Sequence, residues 1–204
     1  MNSKLRAVRH EDILVLTLEH PSGFPRLERS VLHELARQIE SLAETRELAG
    51  AVITGGAQAF CAGAELAEIT SLLDSETLEF ARAGQRVMDQ IEHSAKPVIA
   101  AIRGYCMGGG FDLALACGAR ICSSDAVFAH RGASLGLITG WGGTQRLPRL
   151  IGRARTMEIF LTGRTIAADE ALSCTLVREI VPADELLARA IELVRRYAAN
   201  PTCA

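Results

Sequence analysis

Two short stretches place backbone N–H groups where a carbonyl oxygen can be gripped: FCAGAEL at 60–66 and IRGYCMGGGFDLALAC at 102–117. In the second, Gly108, Gly109 and Gly110 remove three side chains in succession, so backbone can approach a ligand closely and a helix can begin at once. Free amides at such a helix start favour negative charge. Ala62, Gly63 and Ala64 keep the first stretch equally small, and Glu65 is placed to close the first turn of a short helix. Two small-residue turns that each offer an N–H are what an oxyanion hole requires. Tight packing of a helix on a sheet accounts for the same glycines when either motif is taken alone. Asp112 follows three residues after Gly109 on the same predicted helix, as a proton carrier or as a structural acid that caps or pairs with a cation such as Arg120.

Both motifs follow strands. AGAVITGG at 49–56 and PVIAAI at 97–102 are apolar, β-branched runs of strand length. ILVLTLEH at 13–20 reads as a strand buried on both faces, ended by PSGFP at 21–25. Leu32, Leu35, Ile39 and Leu42 then recur at helical spacing. The pattern continues with strand 50–54, a helical region 65–93, strand 98–102, helix 109–117, strand 119–123, helices within 142–162, strand 176–181 and helix 184–199. Recurrent strand–helix units imply an α/β fold with largely parallel strands.

The 204 residues suffice for one domain, or one domain with an appendage, and for a substantial core. With 49% hydrophobic and 23% charged residues and a formal net charge of −2, the composition is that of an ordinary globular protein. No basic stripe suggests nucleic acid and no apolar stretch is long enough to span a bilayer, so neither nucleic acid nor membrane is expected as a partner. Arg6, Arg9, Glu11 and Asp12 stand where a signal peptide would be apolar, which reads as a cytoplasmic protein. Cys61, Cys106, Cys117, Cys122, Cys174 and Cys203 form no CxxC pair and show no zinc spacing, so no metal is expected. Cys61 and Cys106 flank the glycine motifs, as small buried hydrophobes or as reactive thiols.

Along nearly its whole length the chain resembles the crotonase superfamily, the enoyl-CoA hydratase/isomerase family. FCAGAEL looks like the family's first oxyanion-hole segment and GYCMGGGFDLALAC like the second; GLITGWGGTQRLPRLIG at 136–152 and LTGRTIAADEAL at 161–172, leading to LVREIVP at 176–182, resemble later segments in the same order. The resemblance implies a crotonase-like β-spiral of stacked ββα units, with a core domain over 1–182 and the start of a C-terminal helical region over 183–204, a region that family members continue further. It implies an acyl-CoA enzyme of fatty acid metabolism, a lyase or isomerase, that stabilises a thioester enolate. Coenzyme A would enter as part of the substrate, with no separate cofactor, and the assembly would be a homotrimer or a hexamer built as a dimer of trimers.

By motif matching, the resemblance gives the oxyanion donors as the N–H groups of Ala64 and Gly109, and acyl-CoA contacts as Ala62, Gly63, Ala64, Glu65, Leu66 and Ala67, with Gly109, Gly132 and Trp141 lining the site. Hydratases of the family hold one water between two glutamates. Here the first position is Asp112, and FAHRGASLG at 128–136 places Gly132 at the second, so the second carboxylate is missing. Isomerase, decarboxylase or thioesterase chemistry needs fewer carboxylates, and a catalytically weak acyl-CoA-binding protein needs none. His130 and Arg131 fit a general acid, a phosphate contact or a solvated surface pair; Trp141 fits an acyl pocket or plain packing. The early loop reads Pro25-Arg26-Leu27 where the family has an asparagine followed by Ala-Leu, and Arg26 is a candidate phosphate contact.

Overall fold

Apolar side chains on both faces of one sheet set the architecture. In β2 (Ile13–Glu19), Leu14, Leu16 and Leu18 enter the main core while Ile13 and Val15 enter a second one on the opposite face. The computed structural model describes residues 2–200; Met1 and residues 201–204, with Cys203 and the last part of the 183–204 segment, lie outside the described residues.

β2 pairs antiparallel with the edge strand β1 (Lys4–His10) and parallel with β3 (Gly50–Thr54), which continues to β5 (Val98–Ile102) and β7 (Ala119–Cys122). A second sheet runs in parallel through β4 (Ala59–Cys61), β6 (Tyr105–Met107) and β8 (Val127–Ala129), and β9 (Ile166–Ala167) closes it antiparallel. Successive repeats thus give one strand to each sheet: β3 then β4, β5 then β6, β7 then β8. These are the stacked strand–strand–helix units that the resemblance implies. Because β4 and β6 are parallel neighbours, the chain leaves both at the same end of the sheet, and the two glycine-rich turns meet there.

Helix α1 (Arg29–Glu44) buries Val31, Leu32, Leu35, Ile39 and Leu42, the expected helical stripe, and packs along α3 (Asp74–Glu92). Each such fully buried aliphatic side chain contributes about 1.5–3 kcal/mol. The helical region expected over 65–93 is divided into α2 (Leu66–Ser71) and α3, because Leu72 and Leu73 are extended and the Glu76 carboxylate accepts from the Leu73 amide to start the second helix. α4 (Gly109–Ala116) is buried nearly all round, and α5 (Gly143–Ile151), α6 (Arg153–Thr162) and α7 (Ala168–Ser173) follow. The last helix, α8 (Leu186–Ala198), covers the outer face of the larger sheet with Leu186, Ala190, Leu193 and Val194.

One sequence expectation needs correction, and one strand was not expected. The strand expected over 176–181 reduces to a single bridge of Ile180 with Cys122: Thr175 is left-handed (φ 63°) and the segment meets β7 by separate bonds, Arg178 N to Arg120 O at 2.8 Å and Val181 N to Cys122 O at 2.9 Å. β1 escaped the pattern because it is a charged edge strand, carrying Lys4, Arg6 and Arg9, which is how edges resist unwanted pairing. Among the described residues no helix is long and apolar enough to cross a membrane.

Candidate active site

Gly108 turns the chain from β6 into α4 with φ 51° and ψ −120°, a conformation that a side chain would oppose. Its neighbours are glycine for reasons of space. A Cβ on Gly109 would lie 2.5 Å from Cζ3 of Trp141, and one on Gly110 would lie 2.5 Å from Cβ and 2.7 Å from the carbonyl oxygen of Cys61. The other turn leaves β4 through Gly63, at φ 108°. The early loop straps it down: Ala62 N donates to Pro25 O and Leu27 N to Gly63 O, both at 2.8 Å.

The two turns bring their amides together. A Cβ on Gly109 would be 3.3 Å from the Ala64 nitrogen, and one on Gly63 would be 3.3 Å from the Gly109 nitrogen. Gly109 is the first residue of α4, where a helix has no internal acceptor for its N–H. Among the described residues, neither the Ala64 nor the Gly109 N–H is donated to a backbone carbonyl. Glu65 caps α2 by accepting from Ala67 N at 3.1 Å and lies 3.5 Å from the Arg26 guanidinium; Leu66 and Ala67 are exposed and Ala62 is half-buried.

Asp112 sits one helical turn past Gly109 and is 1% exposed. Thr139 Oγ1 donates to its Oδ2, whereas its Oδ1 has no hydrogen-bond partner. Burial pushes the carboxyl up to about 6. The Thr139 hydroxyl, the amides of Trp141 and Gly143, and the charge of Arg146 oppose that rise, without meeting Oδ1 in hydrogen-bond geometry. His130 faces the same oxygen, with Nε2 3.3 Å from Oδ1, and burial pushes its imidazole down to about 3, so it is neutral. Its ring stacks on Phe111 at 4.8 Å and lies 4.9 Å from Phe160.

The Thr139–Gly143 segment covers this pair and is anchored to α3. Gln85 Nε2 donates to Gly140 O at 2.7 Å, while the buried Arg146 reaches Glu92 at 2.8 Å, Asp89 at 2.7 Å and the carbonyl of Trp141 at 3.0 Å. Trp141 is 4% exposed, wedged between Gly84 of α3 and Gly109 and tilted on Phe80 at 5.6 Å. Packing and lining thus coincide in one side chain: the indole fills the space beside the Gly109 amide.

Several residue readings change. Asp112 does not pair with Arg120, whose guanidinium instead donates to the carbonyls of Leu176, Cys117 and Ala114 and so closes the end of α4. His130 is not a surface residue, being 4% exposed, although its neighbour Arg131 is exposed. Gly132 opens a 3-10 turn, Gly132–Leu135, and a Cβ there would lie 2.6 Å from the Leu137 carbonyl oxygen. The position holds neither a carboxylate nor room for one. Burial pushes the Cys61 thiol up to about 12 and Cys106 up as well, which removes the reactive-thiol alternative. Thr139 and Arg146 were invisible as site residues in the sequence, since one hydroxyl and one cation in a glycine-rich segment carry no periodic signal.

Stacked strand–strand–helix units with two small-residue turns at one sheet end define a protein of the crotonase fold. A sequence profile of the enoyl-CoA hydratase/isomerase family matches residues 9–204. A short-chain-enoyl-CoA hydratase of Clostridium acetobutylicum is 35% identical over 189 residues, which span 92% of this chain and 72% of that protein. The crystal structure of enoyl-CoA hydratase from Bacillus anthracis superposes with a TM-score of 0.90 at 35% identity, covering 98% of this chain and 78% of that one. The structure of DspI from Pseudomonas aeruginosa gives 0.92 at 32% identity, covering 98% and 82%. The chain belongs to the enoyl-CoA hydratase/isomerase family.

Proposed function

We propose that this protein is an acyl-CoA enzyme of isomerase type, which stabilises a thioester enolate on the Ala64 and Gly109 amides and moves a proton with Asp112. The observation that carries this reading is the pair of unbonded amides at one point, with a single carboxyl one turn away. The Asp112 carboxylate takes a proton from the α-carbon of a 3-enoyl thioester, the electron pair of the broken C–H bond moves onto the carbonyl oxygen, and the two N–H groups hold the resulting oxyanion. Return of the same proton to a different carbon completes a shift of the double bond. No water and no second acid is consumed, which suits a site where Gly132 lacks both a carboxylate and room for one. Because Asp112 is sealed, the Thr139–Gly143 cover must part for substrate to reach Oδ2.

Ala62, Glu65, Leu66 and Ala67 are the proposed contacts for the CoA portion, and Trp141 with Gly132 borders the acyl chain. Coenzyme A belongs to the substrate, and no further cofactor is invoked. In D2O, the native protein is expected to exchange the acidic protons of a short 3-enoyl-CoA and to convert it to the 2-enoyl isomer, followed by proton NMR. Binding without exchange would reduce the protein to an acyl-CoA carrier.

The amide at Gly109 has its own test. Proline is tolerated sterically at a first helical position and lacks the N–H, while alanine keeps the N–H and adds the same collision with Trp141. Gly109→Pro is expected to weaken enolate-like analogues by about 10²–10³-fold beyond the loss shown by Gly109→Ala, with free CoA affected equally in both variants. Equal weakening of the analogue by the two substitutions would count against the oxyanion role.

Assembly follows from family resemblance: a homotrimer, alone or paired into a hexamer, working in the cytoplasm in fatty acid metabolism. Light scattering at micromolar concentration is expected to give a trimer or hexamer mass, and a monomer mass would contradict it.

A further inference from the structure

Two buried polar atoms are left without partners among the described residues, and they lie beside each other: Asp112 Oδ1 and His130 Nε2, 3.3 Å apart, within hydrogen-bond distance but not aligned for one. The Trp141 and Gly143 amides also lie near the carboxyl, without meeting Oδ1 in hydrogen-bond geometry. A Cβ on Gly143 would collide with Oδ1 and lie 3.0 Å from Nε2, so the Gly143 backbone fills the remaining side. Phe111 and Phe160 flank the imidazole and fix its plane. The carboxyl's other oxygen, Oδ2, already receives the Thr139 hydroxyl.

We propose that His130 is a positioning residue that donates its Nε2–H to Asp112 Oδ1 whether or not the carboxyl is protonated, so that Oδ1 is permanently occupied and Oδ2 alone takes and returns the proton. The catalytic meaning of this arrangement rests on the isomerase reading above. In a hydrated site a carboxylate turns freely and either oxygen can react. Here one oxygen is reserved by a neutral donor on the strand side, which fixes the plane of the carboxyl and aims the other.

The charges around the pair agree with a neutral imidazole. From α5, Arg146 faces Asp112, but its guanidinium is held by Asp89 and Glu92 of α3. From β6, Cys106 is a neutral thiol bonded to Gly110 O at 3.6 Å. Thr139 contributes a hydroxyl, and the α6 side of the ring presents Phe160. Among the described residues no additional carboxylate is placed to stabilise an imidazolium, and burial opposes one. A neutral donor still favours the charged carboxylate over the neutral acid, so losing it moves the Asp112 titration upward.

The test needs no turnover. In native protein labelled with 15N-histidine, His130 Nε2 is expected to show a protonated, pyrrole-type shift on both sides of the Asp112 titration. A bare, pyridine-type Nε2 at pH 8 would overturn the proposal. With 13C-labelled aspartate, the Asp112 midpoint is expected to stay within about half a unit of native in His130→Gln, which keeps an N–H donor, and to rise by about one unit in His130→Leu, which has none. An unchanged midpoint in His130→Leu would also overturn it. Should His130→Leu fail to fold, the native tautomer and the glutamine variant still decide. If the isomerase assay fails while these shifts appear, the function is wrong and the positioning contact stands.

Discussion

Asp112→Asn is expected to lower proton exchange from an acyl-CoA by about 10²–10⁴-fold, the range for loss of one general acid–base group, while binding of free CoA changes little. Asparagine keeps the shape and the Oδ1 acceptor, so the effect isolates the proton carrier from the packing around it. The same substitution has a second signature in stability. Burial raises the Asp112 carboxyl from 3.8 to about 6, so the folded protein holds this proton more tightly than the unfolded chain. The associated stability is fully present below pH 4 and is lost as pH rises through about 6, an amount on the order of 3 kcal/mol from a shift of about 2 units. His130 acts in the opposite sense: its imidazole is lowered from 6.5 to about 3, so its contribution is present above pH 6.5 and lost as pH falls towards 3. The difference between native protein and Asp112→Asn isolates the first effect. Thermal unfolding across pH 4–8 is expected to show the variant gaining on the native protein as pH rises. A variant that keeps native exchange rates, or a stability difference that is flat with pH, would show that Asp112 is neither the carrier nor abnormally held.

What was legible beforehand follows from how far each signal extends along the chain. β2, β3 and β5 were readable because each is a short apolar, β-branched run of strand length, and the glycines at 108–110 were readable because three side chains are missing in succession directly after one such run. The second sheet was not: β4, β6 and β8 are three residues each, shorter than any period that could reveal them. The site divided the same way. Ala64, Gly109 and Asp112 lie in contiguous motifs, and the structure brings them together. The sequence leaves His130 open between a general acid, a phosphate contact and a surface residue because its surroundings are assembled from distant segments: Phe111 precedes it, Phe160 follows it by thirty residues, and only folding closes the two rings around it. Arg120 offered the nearer cation in sequence, but its guanidinium is committed to the carbonyls at the end of α4.

Hydration of a short 2-enoyl-CoA by the native protein is expected to be slower than its proton exchange by about 10²–10⁴-fold, because adding water needs one group to activate the water and another to deliver a proton to the α-carbon. Asp112 is sealed, with Oδ2 accepting from Thr139 and Oδ1 beside the neutral His130, and Gly132 offers no second acid. Supplying that acid by Gly132→Glu, with Asp112→Glu to restore the longer first side chain, meets a backbone obstacle. The new Cβ would lie 2.6 Å from the Leu137 carbonyl oxygen and 3.1 Å from its carbon, inside a turn closed by Leu137 N donating to Gly132 O at 2.9 Å. Overpacking of this kind costs about 1–3 kcal/mol, so the double variant is expected to melt earlier and to gain less hydration than one well-placed acid would supply. The loss of enoyl-thioester absorbance measures both proteins. Fast hydration by the native chain would refute the single-carboxyl reading, and a full gain in the double variant with undiminished stability would show that the Gly132–Leu137 turn yields without cost.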